Sequence, residues 1–220
     1  MDKIKKSYKL SKNIYDKTLT QGGFWSRLYI RLFWNGVDDI KIAEKLLSYI
    51  PDDFSGKLLD VPVGTAVFTH EKYKRMKNAD ITCLDYSEDM LEQAEKKLPD
   101  IKMLQGDVGK LKFADESFDI VLSMNGFHAF PDKEKAFFET CRVLKKGGMF
   151  LSCFYIKDKS KITDWLVKNI LAQKGWFTPP FDDEDSLKAR LERLYDIKEF
   201  YTDGSMVYFY AVKSEQVKAY

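Results

Sequence analysis

The amino-acid sequence predicts an α/β protein: a three-layer sandwich around a mostly parallel, seven-stranded sheet that an antiparallel hairpin closes at its C-terminal end. From residue 58 onward, short apolar runs alternate with helical patterns. A parallel neighbour needs a crossover connection, so repeated strand-helix-strand units indicate a parallel sheet with helices on both faces. Near the C-terminus, only Asp203-Gly204 separates two strand-like runs, which is a strong hairpin signal.

Each predicted element follows from its local pattern. Ser87 is an N-cap candidate, because acidic residues follow it in the first helical turn. The helix from Pro131 ends in two lysines and then Gly147-Gly148, which favours a C-terminal cap there. We expect strands at 58–61, 81–85, 101–104, 118–124, 149–155, 194–202 and 205–213, helices at 65–76, 87–98 and 131–145, and an insertion at 158–193 that is helical at both ends.

The charge pattern argues against nucleic acid as the main partner. Lys and Arg number 36 against 34 Asp and Glu, the net charge is +2, and the charges are interspersed. The lysines within residues 1–13 fit a solvated terminus better than a membrane or nucleic-acid tether. No apolar run is long enough to span a bilayer and residues 1–10 lack a signal-peptide core, so we expect a cytoplasmic protein.

The cysteines predict no metal site. Cys83, Cys141 and Cys153 are odd in number, lie far apart within apolar segments and show no Cys-x-x-Cys spacing. We therefore expect buried free thiols in a reducing compartment.

The segment that carries the chemistry is 58–66, an apolar strand that runs into a tight turn and then a predicted helix. The strand delivers the chain to the carboxyl edge of the sheet, and small residues in the turn let a ligand approach the backbone. The helix that follows is expected to present unpaired amides to that ligand. This arrangement is typical of a nucleotide-type site.

The sequence here resembles the class I, Rossmann-like S-adenosylmethionine-dependent methyltransferases, in particular those related to quinone-biosynthesis methyltransferases. The family places an acidic residue before three alternating glycines, and this chain aligns at Asp60, Pro62, Gly64 and Ala66. Two glycines are therefore replaced. Pro62 keeps a carbonyl that, by the resemblance, accepts from the amino group of the cofactor, but it loses an N–H.

Later segments match the same family in order. The resemblance places Asp85 on the ribose hydroxyls, Asp107 on the adenine amino group, and the loop after residue 124 beneath the reactive methyl group. Two simpler interpretations remain open: Asp85 caps the helix that begins near Ser87, and Asp107 is an ordinary turn residue. The candidate cofactor-binding residues are Asp60, Pro62, Gly64, Thr65, Ala66, Asp85, Tyr86, Met90, Gly106, Asp107, Val108, Met124, Asn125, Gly126 and Tyr15, the last in an N-terminal segment that closes over the cofactor.

Methyl transfer from a sulfonium is an in-line displacement that needs little acid-base machinery. If the acceptor is a hydroxyl or an acidic carbon, His128 is the candidate base, with a structural histidine as the alternative. We expect a small, partly apolar acceptor, because aromatic residues crowd 24–34 and 176–177, although core packing also explains them. We expect no nucleic-acid partner, no stable membrane anchor, no metal, and a monomer or homodimer.

Rival functions follow from the same residues. The replaced glycines favour a catalytically silent module that binds S-adenosylmethionine, and a basic groove would favour a macromolecule as acceptor. A dinucleotide dehydrogenase is excluded, because residues 62–68 do not supply Gly-x-Gly-x-x-Gly. Residues 123–126 also lack the polar-Pro-Pro-aromatic pattern of methyltransferases that modify nucleic-acid amino groups.

The length of 220 residues suits one large α/β domain, so we assign 1–220 to a single methyltransferase domain. Within it we expect an N-terminal helical lid at 1–50 and a cofactor-binding core at 51–157. A substrate-side insertion at 158–193 and a hairpin with tail at 194–220 complete the chain.

Overall fold

The computed structural model describes residues 38–215, which form seven strands, six α-helices and two shorter helical turns. The strands are β1 (Lys57–Asp60), β2 (Asp80–Asp85), β3 (Lys102–Gln105), β4 (Phe118–Met124), β5 (Leu144–Tyr155), β6 (Tyr195–Asp203) and β7 (Met206–Lys213). The helices are α1 (Asp39–Ser48), α2 (His70–Arg75), α3 (Glu88–Lys97), α4 (Lys133–Val143), α5 (Lys161–Leu166) and α6 (Glu184–Leu194), with a 3₁₀ turn at Val108–Lys110 and a π-helical turn at Val167–Leu171.

All seven strands join one sheet in the order β3-β2-β1-β4-β5-β7-β6. The pairs among β1 to β5 are parallel, and β7 pairs antiparallel with both β5 and β6. The predicted fold class and its C-terminal hairpin are confirmed. The order reverses between β1 and β4, and ligands of open α/β sheets bind beyond the carboxyl ends of the strands at such a reversal.

The helix expected at 65–76 is shorter than predicted, because α2 begins only at His70. Gly64 and Ala66 both have positive φ, at 56° and 55°, which a right-handed helix does not allow. The prediction that a helix N-terminus directly follows the bend is therefore wrong. Residues 65–69 form turns instead, and any ligand amides at this place come from the turns.

The boundary between α4 and β5 also differs from the prediction. The helix ends at Val143 and the strand begins at Leu144, so the two lysines and Gly147-Gly148 lie in the strand and not in a helix cap. Leu144 is fully buried and pairs with Phe118 of β4. This pairing and burial override the local cap signal.

Helix α1 packs against β5 and β7 of the sheet. Its last turn leads to Tyr49, whose ring lies 5.0 Å from that of Tyr210 in β7, opposite the middle of β5. The first turn of α1 lies near the end of β5, because the Asp39 charge reaches the Cys153 thiol. Its buried face comprises Asp39, Ile42, Ala43, Leu46 and Leu47.

The segment between β5 and β6 folds over the same edge of the sheet. The Thr178 amide donates to the His128 carbonyl over 2.9 Å, and the Thr178 hydroxyl donates to the Ala129 carbonyl over 3.0 Å. The buried Lys133 ammonium donates to the carbonyls of Phe130 and Thr178. These contacts fasten the insertion to the loop that follows β4. The division of the chain into lid, core, insertion and tail stays a prediction, and residues 1–37 lie outside the described part.

Candidate functional site

The bend after β1 leaves open space beside Gly64. A Cβ atom added at Gly64 would meet nothing within 4 Å, and its φ of +56° lies in the left-handed region that favours glycine. The Val63 amide donates to the Leu84 carbonyl over 3.0 Å, which ties the bend to the end of β2. Pro62 follows a cis peptide bond and is half-buried, whereas Ala66 is buried. The backbone is therefore accessible at the predicted ligand position.

Asp85 and Gly64 meet directly. The Gly64 amide donates to Asp85 Oδ2 over 2.9 Å, and the Ser87 amide donates to Asp85 Oδ1 over 2.8 Å. Burial raises the pKa of the Asp85 carboxyl to about 6, and these backbone donors oppose the shift. Ser87 is the N-cap residue of α3 but makes no side-chain capping bond, so Asp85 holds this helix start. The capping interpretation of Asp85 is therefore confirmed, and its contact with the ribose hydroxyls stays a prediction.

Asp60 points into the core beneath the bend. Its side chain is buried, and the Tyr73 hydroxyl of α2 donates to Oδ2 over 2.9 Å. Desolvation raises the pKa of the Asp60 carboxyl to about 7, although the Tyr73 donor opposes this. The Asp60 carboxylate therefore links the end of β1 to α2. A direct contact of its carboxylate with a ligand stays a prediction.

The neighbouring candidates on the β1 and β2 side are mostly buried. Thr65 is buried, and its carbonyl accepts from the Lys97 ammonium of α3 over 2.8 Å. Met90 is buried in the first turn of α3, and Tyr86 is half-buried at the edge of the sheet. Among these three, Tyr86 offers the most accessible surface for a ligand.

Beyond β3 the chain crosses the same edge. The Gly106 amide donates to the Asp85 carbonyl over 3.0 Å, which brings the ends of β2 and β3 together. Asp107 is exposed and caps the short 3₁₀ turn, accepting from the Gly109 amide over 2.8 Å, while Val108 is buried. The turn interpretation of Asp107 is realised, and its exposed carboxylate stays available to a ligand.

The loop after β4 lies against the bend after β1. A Cβ atom added at Gly126 would come within 2.3 Å of Pro62 Cδ and 2.7 Å of Phe130 Cζ, so only glycine fits without movement. Asn125 has a φ of +54°, and its amide donates to the Cys153 carbonyl over 2.8 Å. Met124, the last residue of β4, is buried beneath this loop. The two loops at the reversal of strand order therefore touch each other.

His128 lies in a buried position that suits packing better than base catalysis. The Tyr155 amide donates to its Nδ1 over 3.3 Å, and its ring stacks on Phe177 at 4.2 Å. Burial, with a smaller effect of the Lys133 charge, lowers the pKa of His128 to about 3. A group with so low a pKa is a weak base near neutral pH. The contacts of His128 therefore favour the structural interpretation over the catalytic one.

Some features of the site were not anticipated from the sequence. The Tyr73 hydroxyl donates a hydrogen bond to Asp60, and Asp39 at the start of α1 is buried near Cys153 of β5. In the sequence, Tyr73 lies in a helical pattern that predicts no polar partner. Asp39 is one of two adjacent acidic residues at a helix start, and nothing in that pattern indicates that it is buried. Tyr15 lies outside the described residues. Within residues 38–215 no group of His, Cys, Asp and Glu side chains is arranged to hold a metal ion, and the three cysteines are buried and free.

Comparison with known proteins points to a methyltransferase domain. Residues 59–152, a little under half of the chain, match the family described as a methyltransferase domain. This match supports a class I S-adenosylmethionine-dependent methyltransferase. The match covers the end of β1, all of β2 to β4 and most of β5, which includes the bend at Gly64 and the Asp85 carboxylate.

Individual relatives agree with this assignment. The chain is 36% identical over 108 residues to a demethylmenaquinone methyltransferase of Thermotoga maritima, covering 49% of this chain and 45% of that protein. It is 29% identical over 154 residues to an uncharacterized chloroplastic methyltransferase of Arabidopsis thaliana, covering 66% of this chain and 43% of that protein. The chain thus spans about half the length of the curated relatives it matches.

A solved structure agrees on the fold. An S-adenosylmethionine dependent methyltransferase from Mesorhizobium loti superposes with a TM-score of 0.62 at 18% identity, covering 77% of this chain and 96% of that one. Within residues 38–215, no helix combines the length and the apolar character that crossing a bilayer requires. The cytoplasmic location stays a prediction.

Proposed function

We propose that this chain transfers a methyl group from S-adenosylmethionine to a small-molecule acceptor. The observation that carries the proposal is the 2.9 Å bond between the Gly64 amide and the Asp85 carboxylate, with open space beside Gly64. It brings together the two positions on which a sulfonium nucleoside would depend. They lie at the carboxyl ends of adjacent strands, close to the reversal between β1 and β4.

The residues at this edge fit such a nucleoside. The Asp85 carboxylate would accept from the ribose hydroxyls, since two oxygens offer more lone pairs than the backbone amides use. The exposed Asp107 carboxylate and the Val108 amide would bind adenine, and the Pro62 carbonyl would accept from the amino group of the cofactor. Half-buried Tyr86 and Gly106 would line the space between them.

S-adenosylmethionine supplies a methyl group on a positively charged sulfur that leaves without acid assistance. The protein then has to align the acceptor with that methyl group and exclude water. The loop at 125–126 and the insertion fastened to it by Thr178 would form the walls of this space. A partly apolar acceptor agrees with half-buried Trp176 and buried Phe177 in the insertion.

Calorimetric titration with S-adenosylmethionine tests the proposal. Asp85→Asn should weaken binding about tenfold or more, because it removes a charge-assisted acceptor for the ribose. Asp80→Asn is the matched control, since Asp80 is an exposed aspartate at the opposite end of the same strand. Binding that is absent from the wild-type protein, or equal in the two variants, would contradict the site.

A catalytically silent module that binds S-adenosylmethionine is the second candidate. It is favoured by Pro62 and Ala66, which stand where the family has glycines, and Ala66 has a φ of +55° that glycine adopts more easily. Binding without formation of S-adenosylhomocysteine across phenols, amines and acids would support this candidate. Product formation with any of them would exclude it.

A further inference from the structure

Asp39 is a buried acid without a structural partner for one of its oxygens. The residue is 9% exposed, and Oδ1 makes no hydrogen bond to the rest of the described chain. The capping role at the start of α1 belongs to Asp38, whose Oδ1 accepts from the amides of Ile40 and Lys41. Asp38 also pairs with the Lys41 ammonium over 3.7 Å. Neither capping nor this ion pair therefore explains why Asp39 is an aspartate.

Asp39 lies near the end of β5, at the edge where the acceptor would reach the methyl group. Helix α1 packs against β5 and β7, and Asp39 belongs to its buried face. Its charge reaches the Cys153 thiol near the end of β5 and contributes to the raised pKa of that thiol, behind burial. The carboxyl group therefore faces the region between α1 and the end of β5.

A second oxygen without a partner lies beside the same strand. Asn125 Oδ1 is buried and accepts no hydrogen bond within residues 38–215, while the Asn125 amide holds the Cys153 carbonyl. Buried acceptors in folded proteins are nearly always paired, so two unpaired ones flanking Cys153 indicate the place of an absent donor. The surroundings are apolar, since Ile42, Met124, Cys153 and Phe177 belong to one hydrophobic cluster.

The number of hydrogen-bond donors on the ligand distinguishes amines from alcohols. Two acceptor oxygens need at least two donor hydrogens, which an amino group supplies and a single hydroxyl does not. A carboxylate in an apolar environment also favours a cation, because the ion pair offsets the cost of burying either charge alone. The chemistry therefore fits a small apolar molecule that carries a primary or secondary amine.

We propose that Asp39 and Asn125 bind the amino group of the methyl acceptor, and that this acceptor is a small apolar amine. The inference rests on the proposed function. The bound ammonium first gives one proton to the Asp39 carboxylate. The nitrogen lone pair then bonds to the methyl carbon while the carbon–sulfur bond breaks and its electrons stay on sulfur. The positive charge has moved from sulfur to the methylated nitrogen.

Matched pairs of amines and alcohols test the assignment. Benzylamine, 2-phenylethylamine and tryptamine are titrated by calorimetry into wild-type protein with bound S-adenosylhomocysteine, beside benzyl alcohol, 2-phenylethanol and tryptophol. At least one amine should bind about tenfold or more tightly than its alcohol, because a charge-assisted bond is lost in the alcohol. The same amine should yield its N-methyl derivative with S-adenosylmethionine, detected by mass spectrometry.

Three variants distinguish binding of the amino group by Asp39 and Asn125 from a purely structural role of these residues. Asp39→Asn should abolish the preference for the amine without loss of folding, since it removes a buried unpaired charge. Asn125→Gly keeps the left-handed backbone and removes only the amide, so the preference should fall. Asp38→Asn is the matched control, an adjacent acid that caps the helix, and it should leave the preference unchanged while lowering thermal stability.

Two results would overturn the inference: equal affinity for amine and alcohol in all three pairs, or a preference that survives in Asp39→Asn. Failure of the wild-type protein to bind either S-adenosylmethionine or S-adenosylhomocysteine would instead contradict the proposed function. The two failures are therefore distinguishable in the same set of titrations.

Discussion

Three carboxyl groups lie buried around the proposed site, and each has a raised pKa. The pKa values are about 7 for Asp39, about 7 for Asp60 and about 6 for Asp85, and burial is the largest cause in every case. A folded protein that holds such protons longer than its unfolded chain loses stability as the pH rises. These aspartates therefore reduce the stability of the folded protein at neutral pH, because each carboxyl group is held in a buried position.

Asp60 offers the clearest test of this linkage. An unfolded aspartate releases its proton near pH 3.9, so the unfolding free energy should fall as the pH rises from about 4 to 7 and level off above it. Asp60→Asn keeps an acceptor for the Tyr73 hydroxyl and removes the titratable carboxyl group. It should reduce the loss between pH 5 and pH 8 by about 1 to 3 kcal/mol in urea denaturation.

The exposed Asp80 supplies the control for that measurement. Asp80→Asn should show the wild-type decline, because its carboxyl group lies in solvent at the start of β2. An Asp60→Asn protein that loses as much stability as wild type between the two pH values would show that Asp60 does not hold a proton in the folded state.

At the scale of elements, the sequence pattern predicted which elements form better than where they end. The hairpin followed from Asp203-Gly204, and Gly204 adopts a φ of +53° in the observed turn. The late start of α2 was not predictable, because an alanine at position 66 gives no local sign of its left-handed backbone. Sheet pairing moved the start of β5 to Leu144, and such pairing depends on residues distant in sequence.

The candidate site was predictable to the extent that topology alone determines it. Gly64 and Asp85 each follow a predicted parallel strand, so their meeting follows from the order of the strands. The environments of Asp39 and His128 depend on packing between distant elements, α1 against the sheet and the insertion against the loop after β4. No pattern within either segment indicates those contacts.

The contact between the two loops at the strand reversal should be sensitive to a single methyl group. Gly126→Ala would place its Cβ against the rigid ring of Pro62 and should destabilise the protein by about 1 to 3 kcal/mol. Gly106→Ala is the matched control, because its nearest neighbour is Leu84 Cδ1 at 3.0 Å, the end of a flexible side chain. Urea denaturation that gives equal losses for the two variants would contradict this packing.

For the whole molecule, the order of the strands determines where a ligand can stabilise the fold. The segments after β1, β2, β3 and β4 all reach the carboxyl edge, so a nucleoside bound there would contact four separate parts of the chain. Such a ligand binds only the folded state, because the unfolded chain does not assemble these segments. Cofactor binding should therefore be visible as thermal stabilisation.

At a concentration 100 times its dissociation constant, S-adenosylmethionine should add about 2.7 kcal/mol of stability. For a chain of this size that corresponds to a rise in Tm of about 5 to 10 °C in calorimetry. A nicotinamide dinucleotide, the ligand of other sheets with this type of strand reversal, should give no shift. A shift with the dinucleotide alone would contradict the family's cofactor.

The contact between Pro62 and Gly126 implies that these two positions constrain each other in size. Where the family motif has glycine at the position of Pro62, the volume filled here by the proline ring is empty, and a side chain at the facing position would meet only the end of the Phe130 ring. Substitutions at the two positions should therefore be correlated among related chains: a bulky residue at one is compatible only with a minimal one at the other.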